Sequence, residues 1–444
     1  MCRVCPPMAG SRRRRRGRAR VPQQGAEPLP PEDTALSSRE VTTVEMPSKN
    51  TCPASASTSP PLSGPHVCAD LVDSLLHEIL LHEIIALFNS FHDFLAFIGT
   101  CHSWRTAVST FPSAHTFSFP PLHFKPDGSY VHPHNGDIKP ILLSNCKWQL
   151  SDPTKKDLSL ACSVPENSPN TMHYLGCSYG YLIFSYKEYC LLVDVYTGTK
   201  VNPPKLPASN QLGYFCGIGI LTAPLISPNS RLLLFSRASM FEWQVGTNFW
   251  SEHPLDIGRE RIYQIVSFKD DIFVIDAFLR LHTIHLSPQF SMREVVIQWE
   301  FLPINSWLVV CGDMLLMVVQ SLSSSESDVL FNSTFKVYRL NFSIEPAKWV
   351  KLEKLENHAL FVSLDRRDPT FCCISPERWG GKSNCIYFAR LSDDPDETWT
   401  AVELGQPVQK RTVHPMFYGR ASPPDCGLLS NLWVFPSLIY GSGQ

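Results

Sequence analysis

From about Phe117 onward, the chain consists of short apolar runs separated by Gly, Asp, Asn, Ser and Pro. Such runs, bounded by turn-forming residues, have the length and composition of β-strands and are too short for amphipathic helices. This pattern predicts a mainly β fold for the last three quarters or so of the chain. The predicted strands lie at 181–184, 191–196, 231–235, 262–268, 272–276, 279–286, 308–311, 314–319, 335–342, 359–362 and 385–389.

The segments between these runs favour tight antiparallel turns. Lys269-Asp270 and Gly312-Asp313 stand between adjacent predicted strands, where residues that tolerate a positive φ form two-residue hairpins. The run 272–275 does not alternate apolar with polar residues. Strands of this kind are expected to be covered on both faces.

A tryptophan recurs in a polar setting at Trp250, Trp349 and Trp399. Recurring aromatic residues among many short strands are typical of a β-propeller, whose blades take about 40 to 50 residues each. The sequence therefore predicts a C-terminal propeller of six or seven blades. The alternative is a pair of β-sandwiches with tryptophans placed by chance.

Residues 71–108 have a different pattern, with apolar residues three and four apart. They predict three short amphipathic helices, the first at about 70–88. The second begins after Ser90, with Asp93 three residues later as a rough capping box and an apolar stripe at Phe91, Phe94, Leu95 and Ile98. The third carries Cys101 and Trp104. On pattern alone, this segment could also be a helical hairpin that caps the β-domain.

The same segment resembles an F-box. The matching residues are Leu71 and Asp73 at the opening, Leu75, Leu76 and Ile79 in the core, and Cys101, Trp104 and Arg105 at the close. The resemblance implies docking on a Skp-type adaptor and, through it, on a cullin-RING ubiquitin ligase. The chain would recruit an unknown target protein by proximity and would not be an enzyme. The adaptor-binding residues it implies are Leu71, Leu75, Leu76, Ile79, Ile84, Ile85, Phe94, Leu95, Cys101, Trp104 and Arg105.

Two features depart from the F-box pattern. Val72 stands where the family usually has Pro, and the sequence of residues 75–79 is repeated at 80–84. Five extra residues rotate the downstream helix face by roughly 140°. The alternative hypothesis is therefore an interaction scaffold, outside the ubiquitin system, whose F-box has lost adaptor binding.

The C-terminal region also resembles plant F-box proteins that end in a KIB-type β-propeller. The resemblance lies in the order of several motifs: 180–184, 193–198 followed by 203–207, 270–275, 357–362 and 384–388. It implies three parts, namely an N-terminal tail (1–66), an F-box-like helical module (67–112) and a propeller domain (113–444).

The first 66 residues are rich in Pro, Ser, Ala and Arg and are predicted to be disordered. The sequence leaves open whether their basic run is an import signal, an inert tail or an organellar transit peptide. Residues 27–444, with 31 basic and 41 acidic side chains, have no overall positive field for nucleic acid. The basic run is Arg12, Arg13, Arg14, Arg15, Arg16, Arg18 and Arg20.

Cysteine usage and hydropathy favour the nucleus or cytoplasm. The fifteen Cys have no regular spacing and suggest reduced thiols, with Cys372 and Cys373 as ordinary thiols on a strand. The longest apolar stretch, 307–319, is interrupted by Gly312-Asp313 and is too short to span a bilayer. No membrane association is expected.

We find no motif for catalysis, a metal or a cofactor. His77 and His82 are five residues apart, about 140° around a helix, and therefore cannot bind one metal ion from the same helix face. Gly217 and Gly219 lack the third glycine of a dinucleotide-binding loop. An enzyme with its site in a central propeller channel is the remaining hypothesis, and it lacks convergent His and carboxylate residues.

Overall fold

The computed structural model describes fifteen stretches of the chain, all within Gly64–Gln444, the second of its two units. The predictions made for residues 1–66, including the arginine run, and for residues 71–82 lie outside them. The described residues are 83–85, 87–100, 104, 119–127, 146–155, 159–163, 172–186, 188–207, 217–236, 238–255, 262–298, 305–323, 332–391, 398–409 and 429–440.

Six β-sheets, each of at least four strands, form the six blades of a β-propeller across the described residues. Blades 1 to 3 contain β1 (Leu122–Asp127), β2 (Lys147–Ser151), β3 (Ser159–Ser163), β4 (His173–Ser178), β5 (Tyr181–Tyr186), β6 (Tyr189–Asp194), β7 (Lys200–Val201), β8 (Ile218–Leu221), β9 (Arg231–Phe235), β10 (Ser239–Gln244) and β11 (Ser251–Pro254). Blades 4 to 6 contain β12 (Ile262–Phe268), β13 (Asp271–Asp276), β14 (Leu281–His285), β15 (Ser291–Glu294), β16 (Ile297–Gln298), β17 (Ser306–Cys311), β18 (Met314–Ser323), β19 (Asn332–Asn341), β20 (Ala347–Leu352), β21 (His358–Val362), β22 (Phe371–Ile374), β23 (Cys385–Phe388), β24 (Thr400–Glu403) and β25 (Pro407–Gln409). The predicted propeller is confirmed with six blades, and the alternative of two β-sandwiches is wrong.

The tryptophans that suggested a repeat occupy comparable places in three blades. Trp250 directly precedes β11, Trp399 directly precedes β24, and Trp349 lies within β20. Each of these is the fourth strand of its blade, counted from the ring centre. The repeat therefore marks the outer part of blades 3, 5 and 6.

The innermost strands lie side by side around the ring centre, β4 against β8, β8 against β12, and β12 against β17. The first two strands of each of blades 2 to 5 are antiparallel, so the first turn of each blade lies at the same end of the ring. We name this end the turn face; it contains 179–180, 222–230, 269–270 and 312–313. Lys269 and Asp270 have φ of 51° and 66°, as the predicted two-residue hairpin requires.

Blade 6 departs from the simple strand order. Its innermost strand is β22, the second of its four strands in the chain, and β21 pairs in parallel with β23. The connection between β21 and β22 reaches blade 2, where the Cys177 backbone N–H donates to the Arg367 carbonyl at 3.4 Å. Arg367 Nη1 also donates to the Tyr174 carbonyl at 2.6 Å. This connection therefore crosses the ring centre.

The ring is closed by β26 (Leu432–Val434), which pairs with β1 as the innermost strand of blade 1. Trp433 is fully buried, and its Nε1 donates to the Tyr387 carbonyl of blade 6 at 2.9 Å. His123 lies opposite Trp433 in the register and makes a 2.8 Å hydrogen bond to the Ala389 carbonyl. The two ends of the propeller are thereby joined.

The helix α1 (Phe91–Thr100) precedes the propeller, and residues 83–85 and Trp104 are also helical. Its start is as predicted, because the Ser90 hydroxyl accepts a hydrogen bond from the Asp93 N–H at 3.2 Å. The predicted three-helix module is not confirmed, since most of the first and third helices lies outside the described residues. None of the described helices is long and apolar enough to span a membrane.

The closure predicts a pH-dependent stability. Burial lowers the pKa of His123 to about 4, below the value near 6.5 expected in the unfolded chain. The unfolded chain therefore binds the extra proton between these pH values, and stability falls as the pH decreases from about 6.5 to 4.

We expect His123→Gln to keep a donor for the Ala389 carbonyl but to lose this dependence. Between pH 7.5 and 4.5, the wild type should lose about 2 kcal/mol more of its free energy of unfolding than the variant. Urea unfolding at both pH values measures this difference. His285→Gln, at a half-buried position of blade 4, is the control and should follow the wild type; an equal loss in all three proteins would contradict the prediction.

Candidate functional site

The turn face contains a groove of about 680 Å³. Blades 2 to 5 all contribute to it, because their first turns converge at this end of the ring. We name it the turn-face groove. Its lining residues include Tyr179, Thr222, Ser267, Lys269, Asp270, Asp271, His285, Ser287 and Gly312.

Both signs of charge are present in the turn-face groove. His285 Nδ1 lies 3.1 Å from a carboxylate oxygen of Asp271, and both side chains are about two fifths exposed. The Lys269 ammonium lies 5.1 Å from the ring centroid of Phe268. A ligand in this groove would meet polar groups on a rigid β-scaffold, as is common at binding sites carried on turns.

Apolar side chains are exposed beside the groove. Phe342 and Ile344, in the β19–β20 connection, are 47% and 44% exposed. The Phe342 ring stacks 6.3 Å from Phe268, which lines the groove. Exposed aromatic and aliphatic residues next to a polar cavity are typical of a protein-binding surface.

The central channel is much narrower, with a cavity of about 100 Å³ among the innermost strands. Asp368 lies in it and is 4% exposed. Its Oδ1 accepts a hydrogen bond from the Tyr174 hydroxyl at 2.6 Å, while its Oδ2 has no hydrogen-bond partner among the described residues. The β21–β22 connection occupies space that would otherwise belong to the channel.

The titratable groups of the channel favour their neutral forms. Burial, followed by the nearby Asp365 charge, raises the pKa of Asp368. Burial also raises the pKa of the Cys177 thiol and of the Tyr174 hydroxyl. A nucleophilic thiol needs a lowered pKa, so this arrangement favours a structural polar cluster over nucleophilic chemistry.

Of the eleven predicted adaptor-binding residues, five lie among the described residues and six do not. Ile85 and Phe94 are buried in one core with blades 1 and 2, and Leu95 packs against that core. Trp104 stacks on Phe97 with ring centroids 4.3 Å apart. Ile84 is 40% exposed. Leu71, Leu75, Leu76, Ile79, Cys101 and Arg105 lie outside the described residues.

The burial of Ile85 and Phe94 bears directly on adaptor docking. The Phe94 ring lies 5.8 Å from Phe119, and the Phe91 ring lies 6.0 Å from Tyr196 of blade 2. For Phe94 to meet an adaptor, helix α1 would have to separate from the propeller. The docking role of these side chains stays a prediction.

One expectation about cysteine is wrong in the described residues. Cys372 forms a disulfide with Cys311 and is not an ordinary thiol; Cys373 is a buried thiol whose sulfur accepts a hydrogen bond from Trp379 Nε1 at 3.2 Å. The bridge joins β17 of blade 5 to β22 of blade 6. The sequence could not show this pairing, because the partners are 61 residues apart and meet only through neighbouring blades.

Sequence reasoning did not identify the turn-face groove. It predicted the turn at Lys269-Asp270 but gave no sign that His285, Thr222 and Gly312 would gather around it. One usable signal in the sequence was Phe342, a large apolar residue at the end of a predicted strand and next to Ser343, where a turn would expose its side chain.

The channel cluster generates a stability prediction. The raised pKa of Asp368 means that the folded chain holds a proton that the unfolded chain has released, so this group costs stability as the pH rises above about 4. Asp368→Asn cannot titrate and should therefore melt at a higher temperature than the wild type at pH 7, with the gain shrinking towards pH 4. Calorimetry across this range measures the effect.

Tyr174→Phe is the matching variant. This variant leaves both Asp368 carboxylate oxygens without a hydrogen-bond partner among the described residues, and it should lower the free energy of unfolding by about 1–3 kcal/mol. If Asp368→Asn were instead clearly less stable than the wild type at pH 7, the carboxyl would be ionised and paired with Arg367.

Comparison with solved structures gives only weak likenesses. A S. cerevisiae complex of a Dbp5 variant with Nup159, a Gle1 variant, IP6 and ADP matches at 10% identity and a TM-score of 0.27, covering 54% of this chain and 69% of that one. PorZ of the Porphyromonas gingivalis type IX secretion system matches at 11% identity and a TM-score of 0.26, covering 48% of this chain and 31% of that one. YCF48 from Cyanidioschyzon merolae matches at 10% identity and a TM-score of 0.26, covering 47% of this chain and 69% of that one. Likenesses this low carry no argument about this chain.

Comparison with curated proteins finds no match. The model of one protein family, described as the KIB1-4 β-propeller, matches residues 149–415. Its span begins in β2 of blade 1, continues past the last strand of blade 6 and covers more than half of the chain. The chain therefore belongs to the KIB1-4 β-propeller family.

Proposed function

We propose that this chain is a substrate-recruiting subunit of a Skp–cullin–F-box type ubiquitin ligase, with the turn-face groove as its target-binding site. The observation that supports this most is the open groove of about 680 Å³ with exposed Phe342 and Ile344 beside it. Family membership is consistent with it, because a KIB1-4 propeller suggests a protein-interaction domain.

The position of helix α1 supports the same proposal. The Phe91 ring contacts Tyr196, which follows β6, and Lys155 Nζ lies 3.2 Å from His92 Nδ1. Both partners lie in connections at the turn-face end of blades 1 and 2, because neighbouring strands of these two blades are antiparallel. Helix α1 and the groove therefore share one end of the ring, so a target in the groove would be held on the same side as the helical segment.

The mechanism we propose is recruitment by proximity. An adaptor bound to residues 71–108 and a target bound in the groove would be held at a high effective concentration, without any bond-making group in this chain. Residues 27–444 carry more acidic than basic side chains and so have no positive electrostatic field to attract nucleic acid. We expect the protein to act in the nucleus or cytoplasm.

The alternative is a protein-interaction scaffold that does not bind the adaptor. The burial of Ile85 and Phe94 against the propeller favours it, because two side chains expected at the docking surface are in the core. The repeat of residues 75–79 at 80–84 favours it as well. Both hypotheses use the same turn-face groove.

The target site is tested by a charge placed at its apolar edge. Phe342→Glu should lower the affinity for proteins bound by the full chain at least about tenfold, because a carboxylate replaces a partly desolvated ring. Phe278→Glu is the matched control: Phe278 is also exposed, but it lies at the opposite end of β13 from Lys269-Asp270. Quantitative affinity purification with the three baits measures the difference, and equal recovery of all partners would contradict the site.

Adaptor binding separates the two hypotheses. The full chain should bind a purified Skp-type adaptor, and deletion of residues 80–84 should raise the affinity by restoring the spacing of one copy. Titration calorimetry with both proteins measures this, with a Leu75→Asp variant of the deletion protein as the control that should not bind. If neither form binds while the Phe342→Glu effect remains, the scaffold hypothesis is the correct one.

A further inference from the structure

A cluster of three metal-ligating side chains lies between blades 5 and 6. The ligand atoms of Cys311, His358 and Cys372 all lie within 4.8 Å of one another. Cys311 ends β17, His358 begins β21, and Cys372 lies in β22. The proposed recruitment function uses none of these residues.

Strand pairing accounts for this arrangement. In the β21–β22 register, His358 lies opposite Ile374 and Leu360 lies opposite Cys372. His358 and Cys372 are therefore diagonal neighbours on one face of the sheet. Cys311 reaches them from the next blade, with its Cα 5.1 Å from that of Cys372.

The neighbouring contacts hold the two strands together. The Thr370 hydroxyl donates to the Leu308 carbonyl at 2.8 Å, which joins the start of β22 to β17. Cys311 is 1% exposed, whereas Cys372 and His358 are half-buried. A small ion could therefore reach the cluster from solvent and then be held against the core.

The orientation of His358 fits a ligand role. Its Nδ1 lies 3.0 Å from the Leu355 carbonyl oxygen, and its backbone N–H donates to the same oxygen at 3.0 Å. A hydrogen on Nδ1 satisfies that carbonyl and leaves the Nε2 lone pair for a metal. Metal-ligating histidines commonly hold their second ring nitrogen in this way.

We propose that Cys311, Cys372 and His358 form a zinc site when the Cys311–Cys372 disulfide is reduced. Two thiolates and one imidazole are typical zinc ligands, and their charge neutralises Zn²⁺. Tetrahedral ligands at Zn–S distances of about 2.3 Å lie about 3.7 Å apart, which the 4.8 Å cluster allows. Three protein ligands leave the fourth position for water.

A dithiol reductant can open the Cys311–Cys372 disulfide in a balanced reaction. The reductant gives two electrons and two protons, its own sulfurs become a disulfide, and the bond between Cys311 and Cys372 opens to two thiols. Zinc then displaces both thiol protons when it binds. The same pair of blades is thus cross-linked by a disulfide in one state and by a metal ion in the other.

The test uses the full chain, purified with a phosphine reductant and supplied with one equivalent of Zn²⁺ before desalting. Metal analysis should find about one more zinc per chain in the wild type than in Cys311→Ser, Cys372→Ser or His358→Phe. Cys162→Ser, a half-buried cysteine of blade 1, is the control and should keep the wild-type content. Comparison with the wild type removes any zinc held elsewhere in the chain.

His358→Phe is the decisive variant, because it keeps both thiols and their disulfide. Zinc content equal to that of the wild type would overturn the site, as would a wild type without zinc. Co²⁺ titration gives a second readout: thiolate-to-cobalt charge-transfer absorption and tetrahedral d–d bands are expected in the wild type and are lost in His358→Phe. Melting curves should show a zinc-dependent rise in Tm for the wild type and the control alone.

Discussion

The structure depends on the pairing of β26 with β1. Three residues near the end of the described chain complete a sheet that begins at Leu122, with Leu432 opposite Phe124 and Val434 opposite Leu122. The fully buried Trp433 ring lies edge-on to Phe361 of blade 6 at 5.0 Å. A ring closed in this way has no exposed inner sheet edge, which would otherwise be open to pairing with other chains.

Closure determines where a binding site can lie. With the innermost strands held side by side, the β21–β22 connection crosses the centre and binds blade 2 through Arg367. The Arg367 guanidinium is paired with Asp365, which compensates for the cost of burying its charge. The channel that remains is small, whereas the first turns of blades 2 to 5 surround a much larger groove. A rigid ring with converging turns is suited to binding a partner at its face.

Helix α1 connects the two functional hypotheses. Its apolar face could cover an adaptor or the propeller, but the same Phe94 ring cannot do both at once. In the structure, it lies in one core with Phe119 and Phe124, so the helix is stabilised by the propeller it precedes. Adaptor binding through this helix would have to exceed the free energy of burying those rings, whereas binding through the residues before it would not. Because of this competition, residues 71–82 matter most for deciding between an adaptor-binding protein and a scaffold that does not bind the adaptor.

Local chemistry was enough to predict much of this fold. The runs 231–235 and 262–268 match β9 and β12 residue for residue, because short, mainly apolar runs between turn residues favour the strand conformation. The turn at Lys269-Asp270 and the start of α1 after Ser90 follow from the same local preferences. Strands with fewer apolar residues, such as Lys147–Ser151, were missed because they are covered by distant parts of the chain.

The sequence by itself determined the mainly β class, the propeller, eleven of the blade strands and the family resemblance, since these depend on residues close together in the chain. Only the tertiary structure decided which strand closes the ring, the strand order of blade 6, the Cys311–Cys372 bridge and the burial of Phe94. The His123–Ala389 hydrogen bond joins residues 266 positions apart. Contacts of that kind arise from how the blades pack around a common axis, and no local pattern specifies them.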